Sequence, residues 1–145
     1  PKQTVVIDNT APGASITAPA AAGLYASSGT TYAATSNYPA EAAWSGAISG
    51  TASDATSGVQ SVAISIQRVS TGLYWNGSSF GSAVELFQTA SGTSSWSLAF
   101  AADDSAFAVR RACASGVSGG NCPSGGSVMS DVRLSHSRSA IQNWL

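Results

Sequence analysis

Val62-Ala63-Ile64-Ser65-Ile66-Gln67 alternates large apolar residues with small or polar ones. That period of two places Val62, Ile64 and Ile66 on one face of a half-buried β-strand, and a helical period of 3.6 fits nothing in it. The alternation recurs on either side. Trp96, Leu98 and Phe100 are separated by Ser97 and Ala99, and Phe107 and Val109 by Ala108. Val128, Val132 and Leu134 fit a last strand, and Thr4-Val5-Val6-Ile7 reads as a short strand at the front. Turn signals lie between these runs, at Asp54-Ala55-Thr56-Ser57-Gly58 and at Ser91-Gly92-Thr93-Ser94-Ser95. The sharpest is Tyr74-Trp75-Asn76-Gly77-Ser78-Ser79-Phe80, where Asn-Gly suits the two positive φ angles of a type I′ turn and predicts a tight hairpin.

No segment carries a sustained helical stripe. The Ala-rich stretch from Ala18 to Ala43 has helical propensity, but Pro19, Gly23, Gly29 and Pro39 interrupt it. A long, partly irregular connection is expected there, with a short strand near Tyr32. Many short strands joined by Gly, Ser and Asn turns predict an all-β chain: a β-sandwich of two packed, mostly antiparallel sheets. Its expected core is Trp44, Ile48, Val62, Ile64, Ile66, Trp96, Leu98, Phe100, Phe107 and Val109.

Composition narrows the function. Ala, Ser, Gly and Thr occupy 79 of 145 positions, and only 9% of residues are charged, for a net charge of -1. Such a surface offers no cationic footprint for nucleic acid and no basic patch for a membrane. No apolar run approaches the ~20 residues that span a bilayer. The chain begins at Pro1 without a basic-plus-apolar leader, which reads as a piece of a longer protein.

The residues also point away from catalysis. There is one histidine, His136, in a polar tail, so no two-histidine metal spacing exists. The seven carboxylates are Asp8, Glu41, Asp54, Glu85, Asp103, Asp104 and Asp131. Asp103 and Asp104 are adjacent, and adjacent residues of a strand face opposite ways, so a turn pair is the expected reading. Cys113 and Cys122 lack Cys-x-x-Cys spacing. No Gly-rich phosphate cradle and no Gly-x-Ser-x-Gly elbow occurs. The expectation is a non-enzymatic domain.

Two stretches carry a resemblance. Asp8-Asn9-Thr10-Ala11-Pro12, followed by Ser15-Ile16-Thr17, resembles the linker and first strand of bacterial immunoglobulin-like repeats. Ile48-Ser49-Gly50-Thr51-Ala52-Ser53-Asp54, then Ser57-Gly58-Val59-Gln60-Ser61-Val62, is similar to the strand-loop-strand of the same family. The Tyr74-Trp75-Asn76-Gly77 hairpin and the Trp96-Ser97-Leu98 strand follow in the order those repeats show. The tail departs: Ala114-Ser115-Gly116-Val117-Ser118-Gly119-Gly120-Asn121 lacks the loop acid usual there, and residues 137–145 match nothing in the family.

The resemblance implies an immunoglobulin-like sandwich over residues 13–135. Residues 1–12 would be the end of a preceding repeat and its linker, and 136–145 an irregular tail. It implies a stalk or adhesion repeat of a secreted or surface-anchored bacterial protein, partnered by neighbouring repeats and by a cell-surface or glycan target. The alternative is a carbohydrate-binding accessory module of a secreted multidomain enzyme, with Tyr74, Trp75 and Phe80 as a stacking platform. An exposed coplanar ring pair favours the module, and buried rings favour the stalk. In an exported protein Cys113 and Cys122 are expected to form a disulfide, because Gly116, Gly119 and Gly120 let the chain turn back between them. Related repeats can carry linker ions, so Ca²⁺ at Asp8 and Asn9 in the linker and at Asp54 is a further candidate, with Asp103 and Asp104 close behind. Against it, carboxylates are few, and both aspartates suit hydrogen bonds within their own turns.

Overall fold

The computed structural model describes residues 2, 3, 7, 8, 10–21, 23–26, 29, 31–36, 39–101, 107–116 and 133–135, and none of these is helical. In chain order the strands are β1 (Gly13–Ala18), β2 (Leu24–Ala26), β3 (Ala42–Ala43), β4 (Ala47–Ser53), β5 (Ser61–Arg68) and β6 (Tyr74–Trp75). They continue as β7 (Phe80–Ser82), β8 (Gln88–Thr89), β9 (Ser91–Gly92), β10 (Ser95–Ala99), β11 (Phe107–Ser115) and β12 (Arg133–Ser135). The chain is all-β.

The strands form two larger sheets, both antiparallel. One has the order β1-β4-β10-β9, and the other β11-β5-β6-β7, with β8 also pairing β5. Their apolar faces meet in one cluster. Ile48, Ala52 and Trp96 come from the first sheet, and Val62, Ile64, Ile66, Phe80, Val109, Ala112 and Ala114 from the second. Nine of the ten core residues expected from sequence are buried, and Leu98 is half-buried.

A third, smaller sheet was not anticipated. Its order is β12-β2-β3, and both pairings are parallel. It draws β2 and β3 from the Ala-rich connection, whose expected strand near Tyr32 reduces to an isolated bridge between Tyr32 and Glu41. Residues 4–6 of the expected front strand, and Val128 and Val132 of the last, lie outside the described residues.

The ladder between β5 and β11 shows how side chains select the fold. Val62, Ile64 and Ile66 are each fully buried on the inward face of β5. On β11 the inward residues are Phe107 and Val109, then Ala112 and Ala114, because the register slips between Val109 and Arg111. One extra residue, Arg110, shifts the phase of the strand. The alternation visible in sequence therefore stops at Val109, although the strand runs on to Ser115.

Gly50 lies in β4 between β1 and β10, opposite both Ile16 and Trp96. A Cβ there would collide with the Ser15 carbonyl and the Trp96 indole. The absent side chain lets the Trp96 ring lie flat on the sheet, 2% exposed.

Candidate functional site

The hairpin predicted at Asn76-Gly77 is present, but its connection is longer than a two-residue type I′ turn. Trp75 pairs with Phe80, so residues 76–79 form the loop. The Asn76 side chain explains the extra length. Its Oδ1 accepts from the backbone N–H of Ser78 (3.0 Å) and of Ser79 (2.9 Å) and from the Ser78 hydroxyl (3.0 Å). The backbone N–H of Asn76 donates to the Ser79 carbonyl at 3.0 Å, and Gly77 takes a φ of 102°, open to it because it lacks a Cβ.

The hairpin carries its rings into a chain of edge-to-face contacts. Phe80 packs on Trp75 at 5.1 Å, Trp75 on Phe100 at 5.1 Å, and Phe100 on Phe107 at 4.9 Å. Trp44 continues the chain from Phe107 (5.6 Å) to Tyr25 (5.8 Å). Every pair is T-shaped, the arrangement that sets the positive edge of one ring against the negative face of the next. Phe80 is 8% exposed, while Tyr74 and Trp75 are half-buried. Trp75 and Phe80 meet at 66°, so these two rings are not a coplanar platform.

Beside the hairpin is a pocket of about 300 Å³ lined by Arg68, Trp75, Ser78, Ser79, Phe80 and Ala101. The Arg68 guanidinium lies over the Phe80 ring, 4.7 Å from its centre. Sequence reading singled out Trp75 and Phe80 but missed Arg68, Ser78, Ser79 and Ala101 as their companions. The serines are within the quoted hairpin. Arg68 ends β5 and Ala101 follows β10, and no local pattern joins them to it.

The two candidate calcium aspartates cap their own turns. Asp8 Oδ1 accepts from the Thr10 N–H at 2.8 Å. Asp54 Oδ1 accepts from the N–H groups of Thr56 and Ser57, both at 2.9 Å, and Oδ2 accepts from the Ser57 hydroxyl at 3.4 Å. The Thr56 N–H, then that of Ser57, holds the Asp54 carboxyl below its ordinary value by favouring the ionised form. Asp8 Oδ2 is buried without a hydrogen-bond partner among the described residues. One such oxygen is far from the six to eight that Ca²⁺ takes. Among the described residues no three His, Cys, Asp or Glu side chains gather. Asn9, Asp103 and Asp104 lie outside the described residues.

On the outer face of the β5–β11 ladder, Ser65 is fully buried and its hydroxyl donates to Glu85 Oε1 at 2.6 Å. Arg111 Nε lies 3.4 Å from the same oxygen, and Arg110 Nε donates to Gln67 Oε1. The contacts to Glu85 hold the segment after β7 against the sheet, and the Arg110–Gln67 bond ties β11 to β5. Cys113, near the end of β11, is not a free thiol. Cys122 and His136 lie outside the described residues. Among the described residues no helix is long and apolar enough to cross a membrane. No family model matches the chain, and no curated protein or solved structure matches it either.

Proposed function

We propose that this chain is an immunoglobulin-like module serving as a non-catalytic stalk or spacer in an extracellular or surface-anchored bacterial protein. The strand order carries the reading. Immunoglobulin sandwiches place strands A-B-E-D in one sheet and C, F and G in the other, with extra C-side strands in the variable type. Here β1-β4-β10-β9 has the A-B-E-D order, and β11-β5-β6-β7 has the order F-C followed by two C-side strands. The chain crosses between the sheets from β4 to β5 and again from β10 to β11, as the B–C and E–F connections do. In this assignment β12 is strand G, set beside β2, and residues 27–41 are an insertion ahead of strand B.

The rest of the reading follows from surface chemistry. Low charge and abundant Ser, Thr, Ala and Gly suit a segment that provides reach. The neighbouring partners are further repeats, joined through residues 8–12. A disulfide between Cys113 and Cys122 fits an exported protein and ties the end of β11 to the segment leading to β12. The rings at the hairpin are angled and partly buried, which favours the spacer over the flat platform of an accessory module.

Small-angle scattering on two copies joined through residues 8–12 tests the reading. A spacer gives a maximum dimension close to twice that of one copy. A pair folded back on itself, with a dimension near that of one copy, overturns it.

A further inference from the structure

We propose that the pocket beside the β6–β7 hairpin is a subsite for one neutral hexose ring. A pyranose has an apolar C–H face and a rim of hydroxyls, and the pocket offers a counterpart to each. Trp75 supplies the apolar wall. Its ring is braced edge-to-face by Phe80 and by Phe100, each at 5.1 Å, so it is in position before any ligand arrives and little side-chain entropy is lost on stacking.

Two serines add polar groups to the lining of the same pocket. Ser78 and Ser79 are exposed at the loop, with their backbone N–H groups already turned onto Asn76 Oδ1. Both serines line the pocket, and the Ser78 hydroxyl, which donates to Asn76 Oδ1 at 3.0 Å, keeps its lone pairs for a sugar O–H. The Arg68 guanidinium covers the face of Phe80, and the half-buried Trp75 lines the pocket beside it. Ala101 leaves room where a longer side chain would fill it.

Size limits the occupant. A volume of about 300 Å³ is at the lower end of small-molecule sites, which run to about 1,000 Å³, and gives room for one ring. The site does not depend on the spacer reading, because a module that only provides reach can still carry it.

Titration of the full chain with methyl β-D-glucopyranoside, methyl β-D-galactopyranoside and methyl α-D-mannopyranoside tests the proposal, read by the Trp75 indole N–H and the Ser78 and Ser79 amides in nuclear magnetic resonance. At least one glycoside should give a saturable shift at these signals, with a dissociation constant of about 1 mM, as expected for so small a ligand. Sorbitol has the hydroxyls without the ring, and cyclohexanol the ring without the rim, so both should leave the signals in place. Ala101→Leu adds bulk at an exposed position and should weaken binding at least ~10-fold, while Ser79→Ala should weaken it about 3-fold. Trp75→Ala should abolish it, and the Ala101→Leu result stands even where loss of Trp75 unfolds the hairpin. No saturable shift with any of the three glycosides overturns the subsite. So does equal binding of cyclohexanol, or an affinity that Ala101→Leu leaves unchanged.

Discussion

The β5–β11 ladder and the small β12-β2-β3 sheet are held by different forces. In the ladder, strands of eight and nine residues face each other, and every second side chain of β5 enters the core. In the small sheet, β2 has three residues and β3 two. Strands so short bury little, and the segment is pinned by its neighbours. Trp44 follows β3 directly, donates from Nε1 to the Phe100 carbonyl at 3.2 Å and packs on Tyr25 of β2. The ladder is stabilised by repetition, and the small sheet by one anchored ring. A repeated pattern survives in sequence, whereas a single anchor looks like any other tryptophan.

The largest expected effect lies in the ladder. Ile64→Ala removes a fully buried side chain from the middle of β5 and should cost about 4 kcal/mol, read from the denaturant midpoint. Hydrogen exchange sharpens the contrast: amides of Tyr25, Ala26, Ala42 and Ala43 should exchange about 100-fold faster than those of Ile64 and Ile66, because short strands open locally. Equal protection would place both regions in one cooperative unit and break the comparison.

The proposed Cys113–Cys122 bond links the two regions, since it ties β11 to the segment that leads to β12. Reduction and alkylation should lower stability by about 2–3 kcal/mol, the chain-entropy value for so short a loop. Mass analysis of exported protein that shows two alkylated thiols without reductant removes the bond. Trp44→Phe keeps a ring against Tyr25 but loses the donor to Phe100, and should cost about 1 kcal/mol, with faster exchange confined to β2 and β3.

The smallest effect is electrostatic and sits at the end of the ladder. The Asp54 turn leads toward β5 and packs on Gly116, just past β11. Its carboxyl is held low by the Thr56 and Ser57 N–H groups, so the folded state favours the ionised form. That stabilisation is complete above the ordinary carboxylate range and is lost as pH falls through the lowered folded value. Unfolding midpoints followed from pH ~5 to pH ~2 should fall less steeply in Asp54→Asn than in the parent chain. Identical acid limbs would leave Asp54 without a part in holding the turn.

The strands β5 and β10 were legible because their alternation is unbroken and each inward residue is large. Only the first part of β11 was legible, since the bulge at Arg110 shifts the phase and the inward residues beyond it are alanines. The hairpin at Asn76 was readable, but its loop length was not, because the Asn76 side chain bonds the chain at two residues where the backbone alone would have closed sooner. Two of the six residues that line the pocket were in view, Trp75 and Phe80. Arg68 and Ala101 were not, as they reach it from the ends of two strands in different sheets.

What the sequence determined by itself was the all-β character and the inward face of β5, of β10 and of the first part of β11, because a period of two is a property of neighbours along the chain. Tertiary structure decided which strands sit side by side, where β2 and β3 find partners and which segments close around the pocket. Those outcomes depend on contacts between residues far apart in sequence, and no local pattern encodes which distant face will be free to receive them.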